Sequence, residues 1–278
     1  MTDLWNDLLT CLELRPAPSA PEPVTGFEGS NQHLSYHRLF GGQLLAQFVR
    51  VAALTCPDKA VKSLHAQFPR EGLTDEPVRY EVTRHREGGT FATLTIVARQ
   101  TPGVIATASA SLHAEEDGLD QQSDFEVPSV PGAEHDVDLG LIPWTTRSIT
   151  NLESPKAEPP EYDLWMRTPE VAPELAPALI AYATDLTLIG TAVRRLDGIS
   201  QRDSRTAFTS AVTSHSLWFH RPPRTEDWLL LHQHSPILAH GRCFGRGDVL
   251  TEDGALVASY AQEALLRFRS LSSVGFRS

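Results

Sequence analysis

Cysteine is scarce in this sequence. Cys11, Cys56 and Cys243 are the only three among 278 residues, and they stand far apart. An odd, scattered set builds no disulfide framework and lacks metal-ligand spacing, so a reducing cytosol is the expected compartment. No run of roughly 18 apolar residues occurs, so no transmembrane span is expected. No basic residue precedes Arg15, whereas Asp3 and Asp7 do, so the N-terminus lacks the basic start and apolar core of a signal peptide. Glycine-rich phosphate loops, a GxSxG elbow and HExxH are all missing. His33 and His37, and His232 and His234, are closely spaced, but no carboxylate or cysteine set accompanies them. No metal and no organic cofactor is therefore expected. Lysine is also rare (Lys59, Lys62 and Lys156), a bias that reflects genome composition rather than function.

Basic residues are wholly absent from Gln100 to Thr146. That stretch carries Glu115, Glu116, Asp117, Asp120, Asp124, Glu126, Glu134, Asp136 and Asp138. Nine of the eleven excess negative charges thus lie in one segment, and the rest of the chain is close to balanced. A net charge of −11 argues against nucleic acid and anionic membranes as partners. With 41% hydrophobic and 21% charged residues the chain is globular rather than disordered.

Residues 2–14 read as a short amphipathic helix capped by Thr2, and the proline-rich 16–23 as a linker. A helix begins near Gly41, with Leu44, Leu45, Phe48, Val51 and Ala52 on one side, and ends at Pro57. Four strands follow: Val61–Phe68, Val78–His85, Phe91–Arg99 and Val104–His113. The acidic stretch Glu115–Pro160 reads as a connector. The order then repeats: a continuous apolar helix from Glu174 to Arg194, then strands at Ala211–His220, Trp228–His234, Gly241–Asp248 and Leu256–Leu266. This gives an N-terminal unit at 1–114, a connector at 115–160 and a C-terminal unit at 161–278. Each unit is a long helix with an antiparallel meander, an α+β layout. Two of them can merge their sheets at an edge and so protect it. Residue-level likeness supports the duplication: Ser63–Arg70 resembles Ser216–Pro222 at an offset of 153, and Val104–Ser109 resembles Leu256–Ala261 at 152.

Asp185 is the sole charge in APALIAYATDLTLIGTAV (176–193). An ionised carboxylate in an apolar layer costs several kcal/mol unless it is hydrogen-bonded or its pKa rises. A helix cap or a solvent-side Asp is the plainer alternative. Gln262, in VASYAQEALL, shares a strand face with Ala258 and Tyr260. Its counterpart in the first copy is Ala110, as expected of one active site on a duplicated scaffold; a surface Gln is the alternative. Residues 209–222 add hydroxyls, two histidines and two aromatics. An Asp, a hydroxyl and an amide can together position and deprotonate a water.

The motifs LFGGQLLAQ (39–47), SLHAQFPREG (63–72), REGGTF (86–91), HSLWFHRP (215–222) and SYAQEALLR (259–267) resemble the acyl-CoA thioesterase II family. The likeness covers nearly the whole chain. It implies a double hotdog fold and cofactor-free hydrolysis of fatty acyl-CoA to free acid and CoA. It also implies a catalytic Asp in the second helix, a Ser or Thr at the start of the following strand and a Gln in the last strand. Asp185 and Gln262 match. The hydroxyl does not match directly: Val212 stands in its place and Thr213 is one residue off. Strand alternation turns Thr213 to the other face unless a bulge restores it; Ser210 is the other hydroxyl on the Val212 side. The expected site is therefore Asp185, Gln262 and Thr213. Arg84, Arg86, Arg221 and Arg224 are candidates for the CoA phosphates.

Two other readings stay open. One is a catalytically weak acyl-CoA-binding protein, favoured by Val212. The other is a hotdog enoyl-CoA hydratase or dehydratase using His65, although helix 42–54 offers no acidic partner. A homo-oligomer is compatible with the sequence, and acyl-chain length is not legible in it.

Overall fold

The computed structural model describes residues 3–17 and 24–269. The first half runs α1 (Leu4–Cys11), β1 (Arg15–Ala17), β2 (Val24–Gly29), α2 (Gly41–Thr55), β3 (Ala60–Gln67), β4 (Val78–Glu87), β5 (Phe91–Gln100) and β6 (Gly103–His113). The second runs β7 (Thr145–Arg147), β8 (Glu161–Arg167), α3 (Ala176–Thr184), α4 (Leu188–Val193), β9 (Phe208–Phe219), β10 (Leu229–Ala239), β11 (Arg242–Thr251) and β12 (Leu256–Phe268). All twelve strands join one antiparallel sheet in the order β1-β2-β4-β5-β6-β3-β9-β12-β11-β10-β8-β7. Read from either end, the order is the same once each strand is matched to its counterpart six strands on. The two halves meet where β3 pairs with β9, from Ser63 opposite Trp218 to Gln67 opposite Ser214. Neither half therefore leaves its central edge open.

One apolar core serves both halves. It joins Leu44, Leu45 and Phe48 of α2 to Leu179, Ile180 and Tyr182 of α3 and to the inward residues of both meanders. Phe40 meets Tyr182 edge-on, with ring centroids 5.0 Å apart. The helical stretch Pro173–Val193 is apolar and long enough for a membrane span, yet 83% of it is buried inside the protein, as befits a core helix.

The buried glutamines of LFGGQLLAQ fasten the N-terminal segment to α2. Gln43 Oε1 accepts from the Gln32 N–H at 2.9 Å, and Gln47 Nε2 donates to the carbonyls of Cys11 and Ser30, both at 2.9 Å. Tyr80 donates its hydroxyl to Gln47 Oε1 at 2.6 Å. Four polar groups so joined are satisfied without water.

Several sequence expectations change. Thr2 lies outside the described residues, and α1 is capped by Asp3, whose Oδ1 accepts from the N–H groups of Trp5 and Asn6. Pro16 lies in β1, an outermost strand, where its missing N–H costs no ladder bond. The second apolar helix is not continuous: it breaks over Asp185–Thr187 into α3 and α4. At the break the Thr184 hydroxyl turns back to the Ala181 carbonyl at 3.0 Å, while the Thr187 hydroxyl reaches out to Gln233 in β10. Such side-chain bonds compete with the helix ladder. The acidic stretch packs on the outer face of the second half. Val127 and Val130 lie against Trp165, Leu230 and Leu250, and Asp120 pairs with Arg221.

Matching bulges register the two copies. Lys62 is the extra residue of β3 and Thr213 that of β9, 151 positions apart; Ile105 and Val257 are their equivalents in β6 and β12, 152 apart. The offset of 153 read for the β3 and β9 segments is therefore corrected to 151, which leaves every residue on the same face. The offset of 152 stands, and with it the pairing of Gln262 with Ala110.

Candidate active site

Asp185 caps the C-terminus of α3 and is only 5% exposed. The helix break turns its carboxylate toward the N-terminus of α2, in the other half. There Gly41 and Gly42 open the helix, with no side-chain cap. Gly41 admits the contact, since a Cβ on it would stand 2.7 Å from Asp185 Oδ2. Burial pushes the Asp185 carboxyl up to about 7, while the Gly42 N–H and the Arg38 guanidinium pull it back down. Its Oδ1 is buried without a hydrogen-bond partner.

Gln262 lies on β12, with Ala258 and Tyr260 on the same buried face. It is directly opposite His215 on β9. Its Oε1 stands 2.9 Å from His215 Nδ1, and its Nε2 is buried without a partner. His215 Nε2 stands 3.1 Å from the hydroxyl of Thr184, the residue before Asp185. Burial holds the His215 ring down to about 4, against the Gln262 bond, so the imidazole is neutral near pH 7. A chain of side chains thus links Gln262 through His215 to the helix end that presents Asp185.

Asp185 opens into a cavity of about 220 Å³. Leu39, Phe40, Leu44, Phe68, Leu186 and Ile189 supply its apolar wall, with Ser210, Ala211 and Val212 along β9. A larger cleft of about 880 Å³ runs past Trp144, Arg167 and Glu170, but Asp185 is not in it. The smaller cavity is the candidate site, because it holds the buried charge.

Thr213 is not brought to this cavity. It is the bulged residue, yet its hydroxyl donates to the Glu263 carbonyl at 3.0 Å, on the face where Glu263 pairs with Arg242. The bulge acts on His215 instead. Simple alternation from Val212 would turn His215 outward; the extra residue brings it inward to meet Gln262. Val212 lines the cavity where the resemblance placed a hydroxyl, and Ser210 is the β9 hydroxyl among the lining residues. None of Arg84, Arg86, Arg221 and Arg224 lines the cavity either. Arg84 pairs with Glu87, Arg221 with Asp120, and Arg224 with Glu226 and Asp227. Arg38 and Arg70 stand at the cavity instead. Among the described residues no group of three or more His, Cys, Asp or Glu is disposed to hold a metal ion.

Two family models fit the chain in succession: the acyl-CoA thioesterase N-terminal domain over residues 32–113 and the C-terminal domain over 112–266. The chain belongs to the acyl-CoA thioesterase family. Acyl-CoA thioesterase 2 of Haemophilus influenzae is 28% identical over 96% of this chain and 99% of its own length. Human acyl-coenzyme A thioesterase 8 is also 28% identical, over 87% of this chain and 85% of its own. The crystal structure of the acyl-CoA thioesterase II TesB2 of Mycobacterium marinum superposes with a TM-score of 0.76 at 29% identity, covering 95% of this chain and 99% of that one. Among acyl-CoA thioesterases the twelve-stranded sheet around two helical segments is a double hotdog.

Proposed function

We propose that this protein hydrolyses fatty acyl-CoA to the free acid and CoA, with a water activated between Asp185 and Gln262. The observation that carries the reading is that two of the buried polar atoms without protein partners among the described residues, Asp185 Oδ1 and Gln262 Nε2, belong to residues connected through Thr184 and His215. One accepts and the other donates, and a buried group left unpaired in this way costs about 1–3 kcal/mol. A water donating to Asp185 and accepting from Gln262 satisfies both and keeps a lone pair for attack.

The water oxygen adds to the thioester carbonyl carbon as its proton passes to Asp185. A carboxyl with a pKa near 7 suits this transfer at neutral pH. The free N–H groups at the start of α2 stabilise the oxyanion. The intermediate then collapses, expelling the CoA thiolate, which recovers a proton from Asp185. Thiolate leaves readily, since a thiol pKa is about 8.5. Arg38 and Arg70 offer positive charge to the CoA phosphates at the cavity. With Val212 apolar and Thr213 bound to Glu263, Ser210 is the hydroxyl left for the water. The three cysteines are buried and unpaired, in keeping with the cytosol.

Thiol release from medium- and long-chain acyl-CoA tests the proposal. Asp185→Asn and Gln262→Ala should each reduce it about a hundredfold or more. If wild type and Asp185→Asn bind acyl-CoA equally and neither releases thiol, the protein is a binder. A hydratase would instead consume enoyl-CoA absorbance without releasing thiol. His65, the residue that suggested it, is exposed on the outer face of β3 beside Ser216.

A further inference from the structure

The two copies of the fold differ most tellingly at one pair of facing residues. In the second copy Gln262 on β12 lies opposite His215 on β9. With the bulges in register, the first-copy equivalents are Ala110 on β6 and Leu64 on β3, and these also lie opposite each other. Both pairs are buried. The scaffold therefore fills this position with Leu and Ala where no chemistry is asked of it. A buried His–Gln pair has no structural necessity there and carries the desolvation cost of two polar side chains.

The proton positions follow from what each atom can do. Gln262 Oε1 can only accept, so the His215 proton facing it at 2.9 Å sits on Nδ1. A neutral imidazole then has a bare Nε2, and the single proton of the Thr184 hydroxyl is shared between this nitrogen, 3.1 Å away, and the Ala181 carbonyl at 3.0 Å. Tyr260 lies nearly parallel to the ring, with centroids 6.0 Å apart and an interplanar angle of 12°. A carboxamide can rotate by half a turn and exchange its two ends. A donor at Nδ1 removes that freedom, because the flipped amide would set N–H against N–H.

We infer that His215 is a positioning residue for the hydrolysis proposed above, holding the Gln262 carboxamide so that its NH2, turned away from the ring, is left for the water. The Nδ1–H of His215 fixes the amide orientation, and the amide then presents a donor rather than an acceptor to the water. The same short turn thus supplies the base, Asp185, and through Thr184 touches the ring that holds Gln262. The β9 bulge at Thr213 is what makes the arrangement available, since it brings His215 to the inner face.

The inference rests on the proposed hydrolysis, and its test separates the two. The ring 15N shifts of His215 are measured first. The Nδ1–H tautomer is expected, and the Nε2–H tautomer overturns the inference whatever the activity. His215→Leu should lower kcat about tenfold to a hundredfold, with KM within about threefold. His215→Asn places an amide N–H near the Nδ1 position and should recover kcat to within about fivefold of wild type. In a Gln262→Ala background His215→Leu should cause no further loss. If Asn is as impaired as Leu, or if the losses multiply, His215 serves packing and the inference fails. If Gln262→Ala is impaired while His215→Leu has full kcat, only the positioning role fails. If Gln262→Ala is fully active, the proposed site fails, and this inference with it. Should His215→Leu alone not fold, the pair His215→Leu with Gln262→Ala copies Leu64 and Ala110 and is compared with Gln262→Ala. Equal kcat supports the role, and a further fall overturns it.

Discussion

Gly41 and Asp185 come from different halves of the chain and touch: a Cβ on Gly41 would lie 2.7 Å from Asp185 Oδ2 and 3.3 Å from its Cγ. The carboxylate can approach the first turn of α2 only because position 41 has no side chain. In an ordinary helix Gly→Ala stabilises by about 1 kcal/mol. Here Gly41→Ala should push the carboxylate off its place. Thiol release is expected to fall at least about tenfold, while the melting temperature changes by only a few degrees. An unchanged rate would mean that the contact does not matter to the chemistry.

The raised Asp185 pKa has consequences for rate and for stability. With an unfolded value of 3.8 and a folded value of about 7, the native state holds a proton that the unfolded chain releases. Stability therefore falls as pH rises through that window, by up to about 4 kcal/mol. Asp185→Asn should raise the melting temperature more at pH 8 than at pH 5, while abolishing most of the activity. His215 acts in the opposite sense. Its folded pKa is lowered from 6.5 to about 4, so its contribution is complete above 6.5 and is lost as pH falls toward 4. The wild-type kcat/KM should rise with pH through about 7 and then level off, as a base that must be ionised requires.

Val212 lines the cavity at the position where the resemblance implied a hydroxyl. Val212→Thr keeps nearly the same volume and sets a hydroxyl on that wall. One well-placed hydrogen bond to the reacting water can be worth about 10²-fold, so an increase in kcat is expected. No increase, together with a sharp loss in Ser210→Ala, would show that Ser210 already fills the role.

Thr213→Val removes a hydroxyl that donates to Glu263 on the other face. It should leave thiol release within about twofold of wild type and cost stability by about 1 kcal/mol. A hundredfold loss would restore Thr213 to the site and require β9 to rearrange when substrate binds.

Charge reversal at the cavity should separate binding from chemistry. Arg70→Glu is expected to raise KM about tenfold or more, with a steeper penalty at low salt, whereas Arg38→Glu, which also removes the charge that pulls the Asp185 carboxyl down, should in addition shift the pH profile upward. The same change at Arg224, which is held by Glu226 and Asp227, should do little.

The eight strands at the centre of the sheet were legible because their branched and aromatic runs sit between clear turns. β1, β2, β7 and β8 were not. They are outer strands, two of them three residues long, and Pro16, Gly26 and Gly29 mask the pattern in the first two. Asp185 drew attention as the lone charge in an apolar run, and Gln262 as the polar residue whose counterpart in the first copy is Ala110. His215 stood out only as one of two histidines in 209–222, with no role assigned, because alternation along β9 puts it on the wrong face and only the bulge corrects that. The helix break at Asp185 was equally hidden, since no proline or glycine stands at 184–187 and the run on both sides is largely apolar. Arg38 and Arg70 reach the cavity from loops on either side of α2 and β3, a placement that local pattern does not carry.

The β3–β9 seam and the shared core bind the halves whether or not the peptide chain between them is intact. A cut in the acidic stretch near Gly118, where both neighbouring segments are exposed, should leave one particle rather than two. Fragments ending and beginning there, expressed separately, should each present a raw sheet edge and an open apolar face. Mixed together, they should reconstitute the enzyme by fragment complementation, with an activity that depends on their concentrations.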